Sequence, residues 1–492
     1  MPLDQTLRDP ASASPIIAPQ PGGTDGAAAA RPTLDARTRR LLEAPIAPTL
    51  IRLAAPNIIV MFVQAGIGLV ETYFIGKLGT DALAGMALVF PAVMLMQMMS
   101  AGAIGGGIAA ATARALGSGR RSDADRLAVH ALVIAAGFGA VFSVAVLIGG
   151  GGLYAAMGGS GAALQAALTY SDVVFSGVVL LWIFNALANV IRGTGNMLTP
   201  ALVTCAGAVV LVPLSPCLIF GWGPFPRLGI AGGGVALVGY YAVGTAVLGL
   251  YLASGRSVVR LRWRGIRLES RLFLDILRVG VVAALTTIQN NLTVAITTAI
   301  VGAFGPAAIA GYGTGTRLEY LMVPLVFGLG GPLVAMVGTN IGAGRRERAL
   351  RAAWIGAAIA FGLTETVGVW AALAPLSWLS LFDSDPAMLA AGTHYLRTVA
   401  PFYGFFGVGI ALYFASQGAG RLGWPLIAGL ARLALATGVG WLALYLTGDI
   451  SYVFAALAAG LAAFGLINAA SVACGAWFGR LRPPFPSRSR VR

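Results

Sequence analysis

Glu71 is the one charged side chain between Arg52 and Lys77, in a run that otherwise reads LAAPNIIVMFVQAGIGLV and TYFIG. An ionisable group in hydrocarbon costs from about 2.5 kcal/mol upward on insertion scales, which makes it a functional candidate by default. A carboxyl group there can take up and release a proton and so change the charge of a cavity. The alternative is a glutamate near the outer interface, solvated or paired with Lys77. Hydrogen-bonding side chains recur in the same setting. Asn57, Gln64, Asn185 and Asn189 stand in apolar stretches, with Asn185 and Asn189 four apart and so on one helix face. They either hydrogen-bond Glu71 and line a cavity or tie helices together, at about 0.6 kcal/mol per bond. Gln289, Asn290 and Asn291 are consecutive, cannot share one face, and send at least one amide into a cavity or toward a neighbouring helix. Glu319 and Glu365 either attract cations or are neutralised by Arg317 and Arg432. Met94 and Met98, beside Met86, Met96 and Met99, suit either a wall that accepts varied apolar ligands or plain lipid-facing packing.

Catalytic sets do not form from these residues. The two histidines, His130 and His394, are too far apart in the chain for an HExxH site and read as interfacial. Cys205, Cys217 and Cys474 lie singly in apolar stretches as small packing residues. No Walker A motif is present, so ATP is not this chain's energy source. The pattern argues against an enzyme, and no cofactor or metal is expected.

The elements that must hold these groups follow from composition. Of 492 residues 58% are hydrophobic and 10% charged, with a mean hydropathy of +0.83, too few charges to cover a soluble surface. The net charge of +15 comes from short basic clusters between apolar segments, which excludes nucleic acid as a partner and leaves the lipid bilayer. Apolar runs predict twelve spans, near 51–76, 84–113, 127–149, 166–190, 198–221, 230–253, 279–302, 309–341, 352–374, 394–416, 425–446 and 452–477. With both termini in the cytoplasm, 28 basic residues fall inside and 3 outside, which predicts a multi-pass protein of the bacterial inner (plasma) membrane. Residues 1–48 read as a disordered cytoplasmic tail and 480–492 as a second one.

Shifted by 225 residues, the chain matches itself: Gly117, Gly119, Arg120 and Arg121 fall on Gly342, Gly344, Arg345 and Arg346, and Tyr170 falls on Tyr395. The same shift carries Gly193, Gly195 and Pro200 onto Gly418, Gly420 and Pro425, and a shift of 226 aligns 75–85 with 301–311. Six spans per half make the halves parallel repeats, related by a pseudo-twofold axis along the membrane normal. The expectation is an all-α protein of two six-helix bundles: a first lobe over 49–253, a basic connector over 254–278 and a second lobe over 279–479. Nothing in it demands more than a monomer. Such repeats suit transporters that rock around a central site.

The stretches VETYFIGKLGTDALAG, ATARALGSGRRSDADR, IRGTGNMLTP, RLEYLMVPLVFGLGGPLVAMVGTNIGAGRRERA and ASQGAGRLGWP resemble the multidrug and toxic compound extrusion (MATE) family, over residues 50–480. The resemblance implies an antiporter that exports small organic cations or amphipathic compounds in exchange for protons or sodium ions. It puts Glu71 where the family's motif usually has the Asp that takes up the coupling ion. Asn290 and Phe406 stand where sodium-coupled members carry Glu and Asp, and Ser215 stands where proton-coupled archaeal members carry an acid. A hard cation wants charged oxygens, so the resemblance favours protons over sodium. Two rivals share parts of the pattern: a lipid-linked saccharide or lipid flippase of the related superfamily, and a major facilitator type transporter. The latter carries Asp-Arg before its Gly-Arg pair, whereas ARALGSGRRSDADR has its acids after the arginines and GTNIGAGRRERA has no Asp.

Overall fold

A computed structural model of the protein describes residues 35–262 and 267–478. Among these residues every regular element is helical. A short helix, α1 (Ala36–Glu43), precedes the first lobe, which runs α2 (Ile46–Gly76), α3 (Thr80–Gln97), α4 (Gly105–Gly117), α5 (Arg121–Ala156), α6 (Gly161–Ser176), α7 (Val178–Gly193), α8 (Leu198–Phe220) and α9 (Ile230–Ala253). The second lobe runs α10 (Ser270–Gly302), α11 (Pro306–Gly342), α12 (Arg346–Leu373), α13 (Leu376–Leu379), α14 (Pro386–Val399), α15 (Tyr403–Ala419), α16 (Gly423–Leu433), α17 (Gly440–Thr447) and α18 (Ile450–Ala473). Eleven helices are long and apolar enough to cross a membrane, and twelve spans result when α6 and α7, bent by 47°, count as one. α3 and α4 join through a π-helical stretch, Met98–Ile104, as a single span.

The ordered chain differs from the expected boundaries at both lobe edges. Residues 36–43 are helical and α2 begins at Ile46, so part of the segment expected as a disordered tail over 1–48 is helix; Asp35 caps α1 by accepting the N–H of Arg37 at 2.9 Å. The connector predicted over 254–278 ends at Ser270, because Arg271, Asp275 and Arg278 lie on α10 among apolar residues that pack. The rest of the first tail and the tail over 480–492 lie outside the described residues.

Each lobe has its own core, one built around Trp182, Phe175 and Tyr154, the other around Tyr395, Tyr403 and Phe454. The lobes meet through backbone laid against backbone. A Cβ at Gly117 would collide with the carbonyl of Thr339, and a Cβ at Gly342 with the carbonyl of Arg114. The repeat shift that carries Gly117 onto Gly342 also carries Arg114 onto Thr339. The contact is therefore reciprocal, as a pseudo-twofold axis requires. Nearly all of α4 is buried, against α5 and α7 of its own lobe and α10, α11 and α15 of the other.

Side chains tie the same end of the molecule. Arg114 pairs with Asp275 at 2.7 Å and donates to the carbonyl of Gly418 at 3.2 Å, and Gln417 donates to that of Gly102 at 3.2 Å. α1 lies across the join. Arg37 reaches Tyr251 of the first lobe at 3.4 Å, while the carbonyls of Leu41 and Leu42 accept from Asn340 at 3.1 Å and Arg345 at 2.7 Å in the second. These ties sit at the end rich in arginine. From Met61 to Val70, on α2, no residue is buried on any face. Among the described residues the hydrogen bonds and ion pairs between the lobes cluster at the basic end, and none lies beyond Asn57–Gly328 toward the opposite one.

Candidate functional site

Glu71 lies near the C-terminal end of α2, one turn before the buried Ile75, and its own side chain is buried. Its Oε1 accepts the hydroxyl of Tyr170, on α6, at 2.8 Å. Gly233, on α9, leaves the space beside this oxygen: a Cβ there would stand 3.3 Å from it. The hydroxyl of Tyr241, also on α9, points to Gln97 Oε1 at 3.4 Å and lies within electrostatic reach of the carboxyl group. Lys77 takes no part, since its ammonium sits 4.7 Å over the ring of Tyr73. No described cation pairs with Glu71. The site is a buried carboxyl group held by one phenol, next to the stretch of α2 in which no side chain is buried. It can hold or release a proton without dismantling an ion pair.

The second lobe holds a counterpart. Glu319, on α11, accepts the hydroxyl of Tyr395, with Tyr312 and Tyr403 nearby. Arg432, on α16, acts on Glu319 electrostatically but lies over the rings of Phe406, at 5.4 Å, and Phe464, at 5.9 Å. Arg317 does not face Glu319; it lies over Phe382 at 5.5 Å.

The remaining predicted residues separate into two groups. Asn57 does not reach Glu71, fourteen residues along the same helix at about 1.5 Å each. It is buried and donates to the carbonyl of Gly328, in the second lobe, at 3.1 Å, which makes it an interlobe tie. Asn185 donates to Ser100 Oγ at 2.8 Å and Asn189 to the carbonyl of Ala101 at 3.2 Å, so both serve the π-helical stretch, whose wide turn leaves backbone groups to satisfy. Glu365 bonds backbone, and neither Arg317 nor Arg432 pairs with it among the described residues. Its Oε2 accepts the N–H of Gly404 at 2.7 Å, a donor freed where Pro401 interrupts the helix between α14 and α15. Gln289 is buried against Gly429 of α16, and neither of its amide atoms has a partner among the described residues. Gln64 and Asn290 are partly exposed, and Met94 and Met98 are exposed on one face, four residues apart. Neither histidine reads as a relay: His130 is buried, where its Nε2 accepts the N–H of Glu269 at 2.8 Å.

Tyr170, Tyr395 and Tyr241 are the site residues that the sequence reading left out of the site. The repeat carried a signal for two of them, since Tyr170 falls on Tyr395 at the 225-residue shift.

Comparison with known proteins places this arrangement. The profile of the MatE family matches residues 56–217 and 283–442. An FAD transporter of Shewanella oneidensis is 29% identical over 404 residues, 80% of this chain and 87% of that protein. A probable multidrug resistance protein NorM of Deinococcus radiodurans is 29% identical over 399 residues, 77% of this chain and 84% of that protein. Among solved structures, a MOP superfamily transporter from Pyrococcus furiosus superposes with a TM-score of 0.79 at 23% identity, over 87% of this chain and 95% of that one. A MATE structure in a bent conformation superposes with a TM-score of 0.81 at 23% identity, over 88% and 96%.

Proposed function

The chain belongs to the MatE family of membrane transporters, and from that premise we propose that it is a secondary active exporter driven by protons, with Glu71 as the coupling group. The observation that carries the reading is the Glu71–Tyr170 pair, a buried carboxyl group held by a phenol, with no basic side chain paired to it among the described residues. In the deprotonated form the carboxylate accepts from Tyr170 and gives the first lobe a negative charge that attracts a cationic or amphipathic cargo. Protonation from one side removes that charge, weakens the hold on the cargo and lets it leave. Return of the lobes carries the proton to the other side, and the cargo that binds next favours its release.

Sodium is the weaker candidate for the driving ion. Phe406 offers no oxygen, and the guanidinium of Arg432 lies over its ring, so a fixed positive charge stands where a sodium ion would need ligands. The arginine-rich closed end belongs on the cytoplasmic side of a bacterial inner membrane, with both termini there. One chain supplies both lobes, so a monomer suffices.

A second reading concerns the cargo alone. The likeness to an FAD transporter makes an anionic flavin dinucleotide a specific alternative to cationic drugs. The test is transport in proteoliposomes under an imposed pH gradient, then a sodium gradient, with a fluorescent cationic dye and with FAD as separate cargoes. Dye movement driven by pH alone and lost in Glu71→Gln supports the proposal. Drive by sodium, or normal transport by Glu71→Gln, overturns the coupling assignment; movement of FAD without dye replaces the cationic cargo.

A further inference from the structure

We propose that the basic end of the second lobe carries a binding site for the phosphate headgroup of an anionic lipid. A pocket of about 390 Å³ opens between α10, the turn joining α15 to α16, and the end of α18. Its wall includes Arg278, Arg421, Trp424, Trp477 and Ser471. Arg278 and Arg421 are exposed, and neither has a carboxylate partner among the described residues. The nearest acid along α10, Asp275, is already taken by Arg114. Two uncompensated guanidinium groups facing one pocket call for an anion, and the planar fork of arginine matches the oxygens of a phosphate.

The surroundings select a lipid over a small ion. Trp477 is held by its Nε1, which donates to Ser416 Oγ at 3.1 Å, and Trp424 stands at the rim, 39% exposed. An indole with one apolar and one wet side, as Trp424 presents, is typical of the level where headgroups lie. Gly420, with φ at 74°, ends α15 and turns the chain so that Arg421 leaves the helix axis and reaches the pocket. Basic pockets between spanning helices at a membrane surface are where anionic headgroups bind. The pocket also adjoins the join between the lobes, since Leu422 packs with Ala103 and Val279. None of this depends on what the protein transports.

The test is native mass spectrometry of the full-length protein in detergent, with added phosphatidylglycerol or phosphatidylcholine. The wild type should retain phosphatidylglycerol about tenfold or more over phosphatidylcholine, as two arginines at a charged surface allow. The pair Arg278→Gln with Arg421→Gln should lose that preference, and Arg278→Lys with Arg421→Lys should keep most of it. Should the double glutamine variant fail to run as a single species on size exclusion, Arg421→Gln alone is read, with a severalfold loss expected. Equal retention of the two lipids, or an unchanged preference in the glutamine variants, overturns the site. Inorganic phosphate at millimolar concentration separates the two sources: failure to displace the lipid supports a headgroup site, and full displacement shows a free-phosphate site instead.

Discussion

Tyr170 and Tyr395 hold the same place in the two halves of the repeat, and each donates its phenol hydroxyl to a glutamate from another helix. The glutamates are not related by the repeat. Glu71 comes from the first span of its lobe and Glu319 from the second of its own, so one inherited phenol has acquired two different acids. Only Glu319 has an arginine near it. The two halves have kept their shape and diverged in charge.

That divergence predicts unequal effects. Tyr170→Phe should slow pH-driven transport about tenfold, as a hydrogen bond to a charged group is worth about 1.5–3 kcal/mol. Tyr395→Phe should lower thermal stability and leave the driving force of transport unchanged. The same proteoliposome assay, with a melting curve for each variant, reads both. A reversed pattern would assign coupling to the second lobe.

Glu365→Ala should cost stability without touching ion coupling, because it strands the N–H of Gly404 at the break before α15. The loss should be about 1–3 kcal/mol, while Glu365→Gln, which keeps an acceptor oxygen, should melt close to the wild type. Loss of pH drive in Glu365→Gln would return this residue to the transport site.

Gly117→Ala should loosen the closed end, because the added methyl group meets the Thr339 carbonyl rather than a movable side chain. Overpacking of this kind costs about 1–3 kcal/mol. A cysteine placed at the buried Ala113, in a chain with Cys205, Cys217 and Cys474 replaced, should then react faster with a water-soluble maleimide. An unchanged rate would mean that the lobes absorb the clash without opening.

The Arg114–Asp275 pair should contribute little to stability, since the aspartate is 45% exposed. A double-mutant cycle on the closed-state population should give about 0.5–1 kcal/mol, falling as salt rises. A much larger coupling would make this pair the main lock of the closed end.

The spans and the repeat were legible because hydrophobic length and doubled glycines leave a direct trace in a sequence. Glu71 was legible as a candidate for the same reason, as a charge stands out in an apolar run. Its partner was not, because a tyrosine in a span passes for one more apolar residue. For Asn57 the tie between helices was one of two roles offered, and its partner was not legible, because it is the backbone carbonyl of Gly328 and a carbonyl has no letter of its own. Glu365 was read either as a cavity acid or as neutralised by arginine, and its bond to Gly404 was not legible, because that demand is set by Pro401 on another span.

The burial of α4 bears on how the chain comes into being. Its glycines Gly106, Gly107 and Gly117 lie against α15, α10 and α11, all of which are synthesised later. When the ribosome has completed α9, every span of the first lobe exists, yet the surface of α4 around Gly117 still awaits Thr339. A fragment ending at Ala253 would therefore hold a whole repeat unit and an unfinished lobe. The two repeat halves look separable on paper, yet the backbone contact of Gly117 with Thr339 forms only once both are present.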